Sequence, residues 1–92
     1  MNFEWNPRKA EVNLRKHGVS FTEAGTVLGD DHAITVPDPD HSDEEDRYIT
    51  IGWSNRGRLL MVSHTERGNK IRIISAREPT PREQKAYEKE NN

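Results

Sequence analysis

Apolar and polar positions alternate most densely between Arg47 and Arg77, where the chain reads R-Y-I-T-I-G-W-S-N-R-G-R-L-L-M-V-S-H-T-E-R-G-N-K-I-R-I-I-S-A-R. Three β-like runs divided by two glycine turns predict three strands joined by hairpins. The turn Ser54-Asn55-Arg56-Gly57 sets Trp53 opposite Arg58, and Gly68-Asn69 sets Arg67 opposite Lys70. In that register one face carries Ile49, Ile51, Trp53, Leu60, Val62, Ile71 and Ile73, and it is the expected core. Its cross-strand rows are Arg47–His64–Ile73, Ile49–Val62–Ser75 and Ile51–Leu60–Arg77. The other face carries Tyr48, Thr50, Met61, Ser63, Thr65, Lys70, Arg72 and Ile74. That mixture of basic, hydroxyl and apolar groups suits a binding surface better than a purely structural one.

Helical signals flank this stretch. Phe3–Trp5 is a short apolar opening, read as a minor strand or anchor. Asn6 as N-cap and Pro7 at the first helical position start a helix that runs to about His17, with Gly18 supplying the turn out. Ala10, Leu14 and His17 fall on one side, so His17 reads as a core or cap histidine. Arg8, Lys9, Arg15 and Lys16 gather opposite, around Val12. Ser20-Phe21-Thr22-Glu23 is a capping box for a second helix with an apolar face of Phe21, Ala24, Val27 and Leu28, closed by Gly29. His32–Val36 reads as a short strand. Thr80-Pro81-Arg82-Glu83 begins a third helix whose packing residues are Ala86 and Tyr87, so it is expected to dock weakly. The predicted architecture is one α+β domain over 1–92. A helical hairpin (1–29) packs on a mainly antiparallel four-stranded sheet (32–77, with an acidic loop at 37–46), and a C-terminal helix (80–90) completes it.

Composition adds that the core is thin: of 92 residues, 30% are hydrophobic and 33% charged, which favours reliance on a partner. No cysteine is present, which removes disulfides and thiolate metal sites and fits a reducing cytoplasm. The start M-N-F-E-W-N-P lacks the features of a signal peptide, and the longest aliphatic run, Leu59–Val62, is far too short to span a membrane. A cytoplasmic protein without a membrane role is expected. The net charge of −2 hides a block structure. Residues 21–46 hold nine carboxylates and no Lys or Arg, while 47–77 hold seven Lys or Arg against Glu66 alone. Such segregation suits a polyanion-binding face. Asp38–Asp46 resembles a calcium loop only superficially: Asp43 stands where the turn glycine belongs and Ile49 where the bidentate Glu belongs. His41 has no second histidine nearby, so no metal site and no cofactor are expected.

The ordered pieces F-E-W-N-P-R-K-A, N-L-R-K-H-G-V-S-F, R-Y-I-T-I-G-W-S, R-L-L-M-V-S-H-T-E-R-G and I-R-I-I-S-A-R-E-P-T-P-R-E, with Tyr87 after them, resemble the BrnT family, the toxin half of a bacterial type II toxin–antitoxin pair. They cover most of positions 3–87 and leave out the acidic loop. The resemblance implies a RelE-like ribonuclease fold and growth arrest through RNA cleavage and loss of translation. It also implies neutralisation by a BrnA-like ribbon-helix-helix antitoxin, with operator DNA reached only through the complex of the two.

RNA cleavage without metal needs a base for the 2′-hydroxyl, stabilisation of the pentacoordinate phosphate, and an acid for the 5′-oxygen. Guanidinium forks suit the second task. The candidate catalytic residues are Arg47, His64, Arg77, Glu83 and Tyr87; Arg67, Lys70 and Arg72 are candidate RNA-backbone contacts. In the derived register His64 faces Arg47, a cation that would favour the neutral imidazole. Arg47, His64 and Arg77 fall on the core parity while Lys70 and Arg72 fall on the open one, a conflict that strand twist, a bulge or a register off by one residue would relieve. The alternative is a non-catalytic module that docks RNA or protein on the same basic sheet. A DNA-binding regulator is disfavoured, since the second helix, Phe21–Leu28, has no basic residue to enter a groove.

Overall fold

The computed structural model describes residues 1–40 and 46–91. In chain order the elements are β1 (Asn2–Glu4), α1 (Pro7–His17), α2 (Phe21–Val27), β2 (Ile34–Pro37), β3 (Arg47–Trp53), β4 (Leu59–Arg67), β5 (Lys70–Arg77) and α3 (Pro81–Glu90). The strands form one sheet in the order β1-β5-β4-β3-β2. All pairings are antiparallel except β1 with β5. The α+β class and the three helices agree with expectation, but the sheet has five strands and not four. The fifth is the opening tripeptide. Three residues cannot show alternation by themselves, yet Phe3 lies beside Ile71 across the parallel pair and packs its ring against Gly25 of α2.

Local chemistry explains the helix starts. The Asn6 side chain accepts from the Arg8 and Lys9 N–H groups at 2.9 and 3.2 Å, with Pro7 next in line. Gly18, at φ +69°, closes α1 by donating to the Leu14 carbonyl. Ser20 Oγ accepts from Glu23 N, but Glu23 turns its carboxylate toward Ser54 and Arg58, so the capping box of α2 is only half made. The Thr80–Glu83 box of α3 is complete. The core sets Val19, Phe21, Ala24 and Val27 against Leu60, Val62, Ile73 and Ala76, with Trp5 edge-on to Phe21 at 6.0 Å.

Two features correct the derived sheet register. The β3–β4 connection closes on a Ser54–Arg58 pair, with Ser54 N donating to the Arg58 carbonyl at 2.8 Å. Asn55, Arg56 and Gly57 form a three-residue loop, and Gly57 occupies the left-handed region at φ +75°. Trp53 therefore pairs with Leu59, one residue later than expected. A one-residue slip exchanges the faces of a strand, so Ile49, Ile51 and Trp53 leave the core side and Thr50 and Gly52 take their places. The second feature is a bulge: Ser63 pairs with Ser75 but His64 with Ile73, which leaves Ile74 extra on β5. The helix-covered rows are thus Tyr48–His64–Ile73, Thr50–Val62–Ala76 and Gly52–Leu60.

The buried side of α1 also differs from expectation. Leu14 is 51% exposed, and the buried residue of the helix is Asn13. Its amide donates to the carbonyls of Val19 and Ala76 at 3.0 and 2.8 Å, and its side-chain oxygen accepts from Ala76 N at 3.1 Å. Because β1 reaches only Lys70–Arg72, the edge of β5 beyond it lacks a strand partner among the described residues. Asn13 supplies the missing donor and acceptor at Ala76 and so moors α1 along that edge. β2 begins at Ile34, two residues later than expected, because Asp30 holds the preceding turn by accepting from Trp53 N and His32 N. Of the acidic loop expected over 37–46, positions 41–45 lie outside the described residues, and Pro37 ends β2.

Candidate nucleic-acid interface

The face opposite the core is built from four rows in the observed register. From the hairpin tip they run Arg67–Lys70, Arg47–Thr65–Arg72, Ile49–Ser63–Ser75 and Ile51–Met61–Arg77. Alternation along each strand fixes this sharing of a face, and the slip in β3 together with the bulge in β5 is what makes it consistent. Arg47, Arg67, Lys70, Arg72 and Arg77, which the derived register divided between two faces, all belong to this one. Rows on one face are about 6.6 Å apart, so the basic stripe extends roughly 20 Å with the Ser63–Ser75 hydroxyls inside it. Arg72 is anchored by Glu4 of β1 at 3.1 Å.

Arg77 ends β5 where α3 begins to cross the sheet. Its guanidinium grips Glu83 bidentately, at 2.8 and 3.0 Å, and also donates to the Glu78 carbonyl. Glu83 accepts from Thr80 N as well. The Arg77 hydrogen bonds hold the Glu83 carboxyl down at about 2, and the same contact raises Arg77 above its usual value. Both side chains remain partly open to solvent, at 41% and 31%. Tyr87, one turn further along α3, is buried and its hydroxyl donates to the His32 carbonyl at 3.3 Å. Burial pushes this phenol above its usual range. Ile34, Ile51 and Met61 lie beneath α3 between these two anchors, lining a shallow cavity of about 210 Å³ with Ala86 and Tyr87. Glu83 and Tyr87 do share a helix face, but one holds an arginine at the surface and the other pins the helix.

His64 is placed apart from these groups. It lies on the helix-covered side, 7% exposed, paired with Tyr48 and not with Arg47. Arg47 pairs with Thr65. The His64 ring stacks on Tyr48 at 6.0 Å, and Nε2 is 2.7 Å from Thr50 Oγ1, itself 2.6 Å from Thr35 Oγ1. Among the described residues Nδ1 has no hydrogen-bond partner. The imidazole is pushed toward its neutral form by burial; Glu66 opposes that shift. The expected influence of an arginine is replaced by desolvation.

Sequence reasoning missed two arrangements. Arg58, counted among the seven basic groups of the sheet, is withdrawn from it: Nε donates to Glu23 at 3.0 Å and the guanidinium also reaches the Gly18 carbonyl. Glu23 is 4% exposed and accepts a further bond from Ser54 Oγ at 2.7 Å, and the Arg58 bonds hold its carboxyl below the usual range. The spacing of Glu23 from Ser20 points to a capping box and not to a buried ion pair. The second is a cleft of about 480 Å³ between α1 and the edge of β5, lined by Arg8, Lys9, Lys16 and His17 and floored by Val12 and Ile74, with Ser75 at its border. Basic clustering on α1 was visible in the sequence, but its position over β5 was not. Among the described residues no three metal-ligating side chains come together, and no helix is long and apolar enough to cross a membrane.

Three helices on a five-stranded mixed sheet, with a stripe of arginine and lysine on the face away from the core, define a small α+β domain with a basic sheet face. Residues 5–83 match the model of a family described as the ribonuclease toxin, BrnT, of type II toxin–antitoxin systems. The chain belongs to that family. Its fold is that of the crystallised ribonuclease toxin BrnT of Brucella abortus, with a TM-score of 0.69 and 24% identity over 87% of this chain and 97% of the other. A search of curated proteins by sequence gave no match.

Proposed function

We propose that this chain is a metal-independent endoribonuclease toxin whose RNA lies across the basic sheet face, with the scissile phosphate at Arg77. The observation that carries this reading is the convergence of Arg47, Arg67, Lys70, Arg72 and Arg77 on one face, in a chain of a ribonuclease toxin family. Internal transesterification needs little covalent help from the protein. The 2′-oxygen attacks phosphorus, the bond to the 5′-oxygen breaks, and a 2′,3′-cyclic phosphate and a 5′-hydroxyl result. Arg77 is the group suited to the charge that gathers on the phosphate oxygens. Glu83 presents that guanidinium, and while so paired it is a feeble base. A phosphate that draws Arg77 away removes the main cause of the low proton affinity and returns basicity to the carboxylate, which then takes the 2′-hydroxyl proton. Water protonates the 5′-oxygen. Tyr87 acts by holding α3, and hence Glu83, against the sheet.

Arg47, Arg67, Lys70 and Arg72 serve as backbone contacts, which position a strand without reading its sequence. His64, turned into the core side, supports the sheet through Thr50. In the cell the reading places the protein in the cytoplasm, where RNA cleavage stops translation and a ribbon-helix-helix antitoxin neutralises it. That complex, and not the toxin alone, would then contact operator DNA. Expression of the chain by itself, wild type against Arg77→Ala, tests the proposal. Wild type is expected to slow growth and to cut RNA in the presence of EDTA. The alanine variant should lose roughly 10²–10³ in turnover, the range for removing one donor to a developing oxyanion. Intact RNA and normal growth with wild type would end the enzyme reading. Full activity in the variant would end only the assignment of Arg77, and loss of cleavage in EDTA would end the metal-free route.

A further inference from the structure

The cleft between α1 and β5 belongs to neither the core nor the basic stripe, yet it adjoins the stripe at Ser75. Among the described residues its lining includes three cations, Arg8, Lys9 and Lys16, together with His17, and no carboxylate. In a chain with more acidic than basic residues, a cleft lined in this way is a local reversal of the net charge. Lys9 and Lys16 are two turns apart on α1, about 10.5 Å along its axis, long enough to meet more than one phosphate of an extended strand. The floor is apolar: Val12 is 46% exposed, and Ile74 reaches the cleft because it is the extra residue of the β5 bulge. Cations over an apolar floor suit a strand whose bases are unpaired and whose backbone is charged. Ser75, at the border, lies on the open face between Arg72 and Arg77. β1 covers β5 only as far as Arg72, so a strand leaving Arg77 meets no β1 backbone on its way over this edge.

We propose that this cleft is a second RNA-binding subsite, holding the phosphate backbone of single-stranded RNA flanking the nucleotides at Arg77. The subsite rests on the ribonuclease reading for its substrate class, but its test does not require cleavage. Binding of a fluorescein-labelled, 2′-O-methylated single-stranded RNA oligonucleotide is measured by anisotropy across a salt series. The wild type is compared with Lys9→Glu/Lys16→Glu and with Lys85→Glu/Lys89→Glu, a pair on α3 outside the cleft that changes the net charge equally. Lys9 and Lys16 are exposed, and circular dichroism checks that both variants remain folded. The cleft variant should bind at least about tenfold more weakly at 0.1 M salt. Its log–log salt slope should shrink by about 1.4, at ~0.7 for each phosphate of a single strand that is no longer neutralised. The α3 variant should lose far less. Equal losses in the two variants would mean general electrostatics and would overturn the subsite. So would unchanged RNA binding in the cleft variant, and a loss confined to binding of an acidic protein partner would assign the cleft to protein instead. If wild type cuts no RNA while the cleft variant shows the expected loss, the catalytic reading falls and the subsite stands.

Discussion

Removing Arg58 is expected to damage the fold, although by sequence this residue looked like part of the RNA-facing charge. Arg58→Ala strips the bidentate partner from Glu23 and leaves that carboxylate, 4% exposed, with Ser54 as its remaining side-chain partner. Breaking a buried pair from one side costs about 3–5 kcal/mol. Arg58 is itself 31% exposed, so water reaches the vacated space and the lower end, about 3 kcal/mol, is the figure expected. For a domain of this size that lowers the Tm by roughly 15 °C. The pH dependence gives the sharper reading. In the wild type the Glu23 carboxyl is held below its ordinary 4.5, so its contribution is present above that value and is lost as pH falls through the lower folded value. In the variant the same group is desolvated without its cation and protonates more readily than in the unfolded chain. The stability gap should therefore narrow as pH drops from 7 to 4. Urea unfolding of both proteins at the two pH values measures it. A gap under ~1 kcal/mol at pH 7, or one that stays constant to pH 4, would refute the account of Glu23 as a buried, arginine-held anion.

Substitutions at two further residues probe the sheet and its edge. His64 is held toward the neutral form by burial, so its contribution is complete above pH 6.5 and is lost as pH falls below that, where the unfolded chain takes up a proton the fold resists. Stability should decline between pH 6.5 and 5 with a slope of up to about 1.4 kcal/mol per pH unit, and His64→Gln should remove that part of the slope; chemical denaturation across this range reads it. Asn13→Ala should cost about 2–3 kcal/mol, because the Ala76 N–H and two carbonyls lose their buried partner. Asn13→Leu, which restores volume but no hydrogen bond, should not recover it in the same measurement.

Much of the local structure was legible from short sequence spans. Asn6-Pro7, Ser20 and Thr80-Pro81 start the helices they were expected to start, because an N-cap acts within three residues. Gly68-Asn69 turns the second hairpin with Gly68 at φ +61°, and Arg67 pairs with Lys70 as that two-residue turn predicts. The candidate site was less legible. Its arginines could be named, but the face they occupy depends on the number of residues in one loop and on a single extra residue in β5. His64 was assigned a cationic neighbour that a one-residue slip gave to Thr65, and Asn13 was hidden inside a helix face read as aliphatic.

By itself the sequence determined the α+β class, three helices with their caps, two hairpins, the segregation of charge and the family, since each depends on neighbours in the chain or on the order of motifs. The tertiary structure decided which side of the sheet is the core, that the opening tripeptide is a strand, and that α1 lies along the open edge of β5. Strand parity has a period of two, so Gly57 in its loop and Ile74 in its bulge each exchange the faces of the strand residues beyond them. No local propensity distinguishes one outcome from the other. Packing does: only one register puts Val62, Ile73 and Ala76 together under α2, and the same register gathers the arginines on the far side.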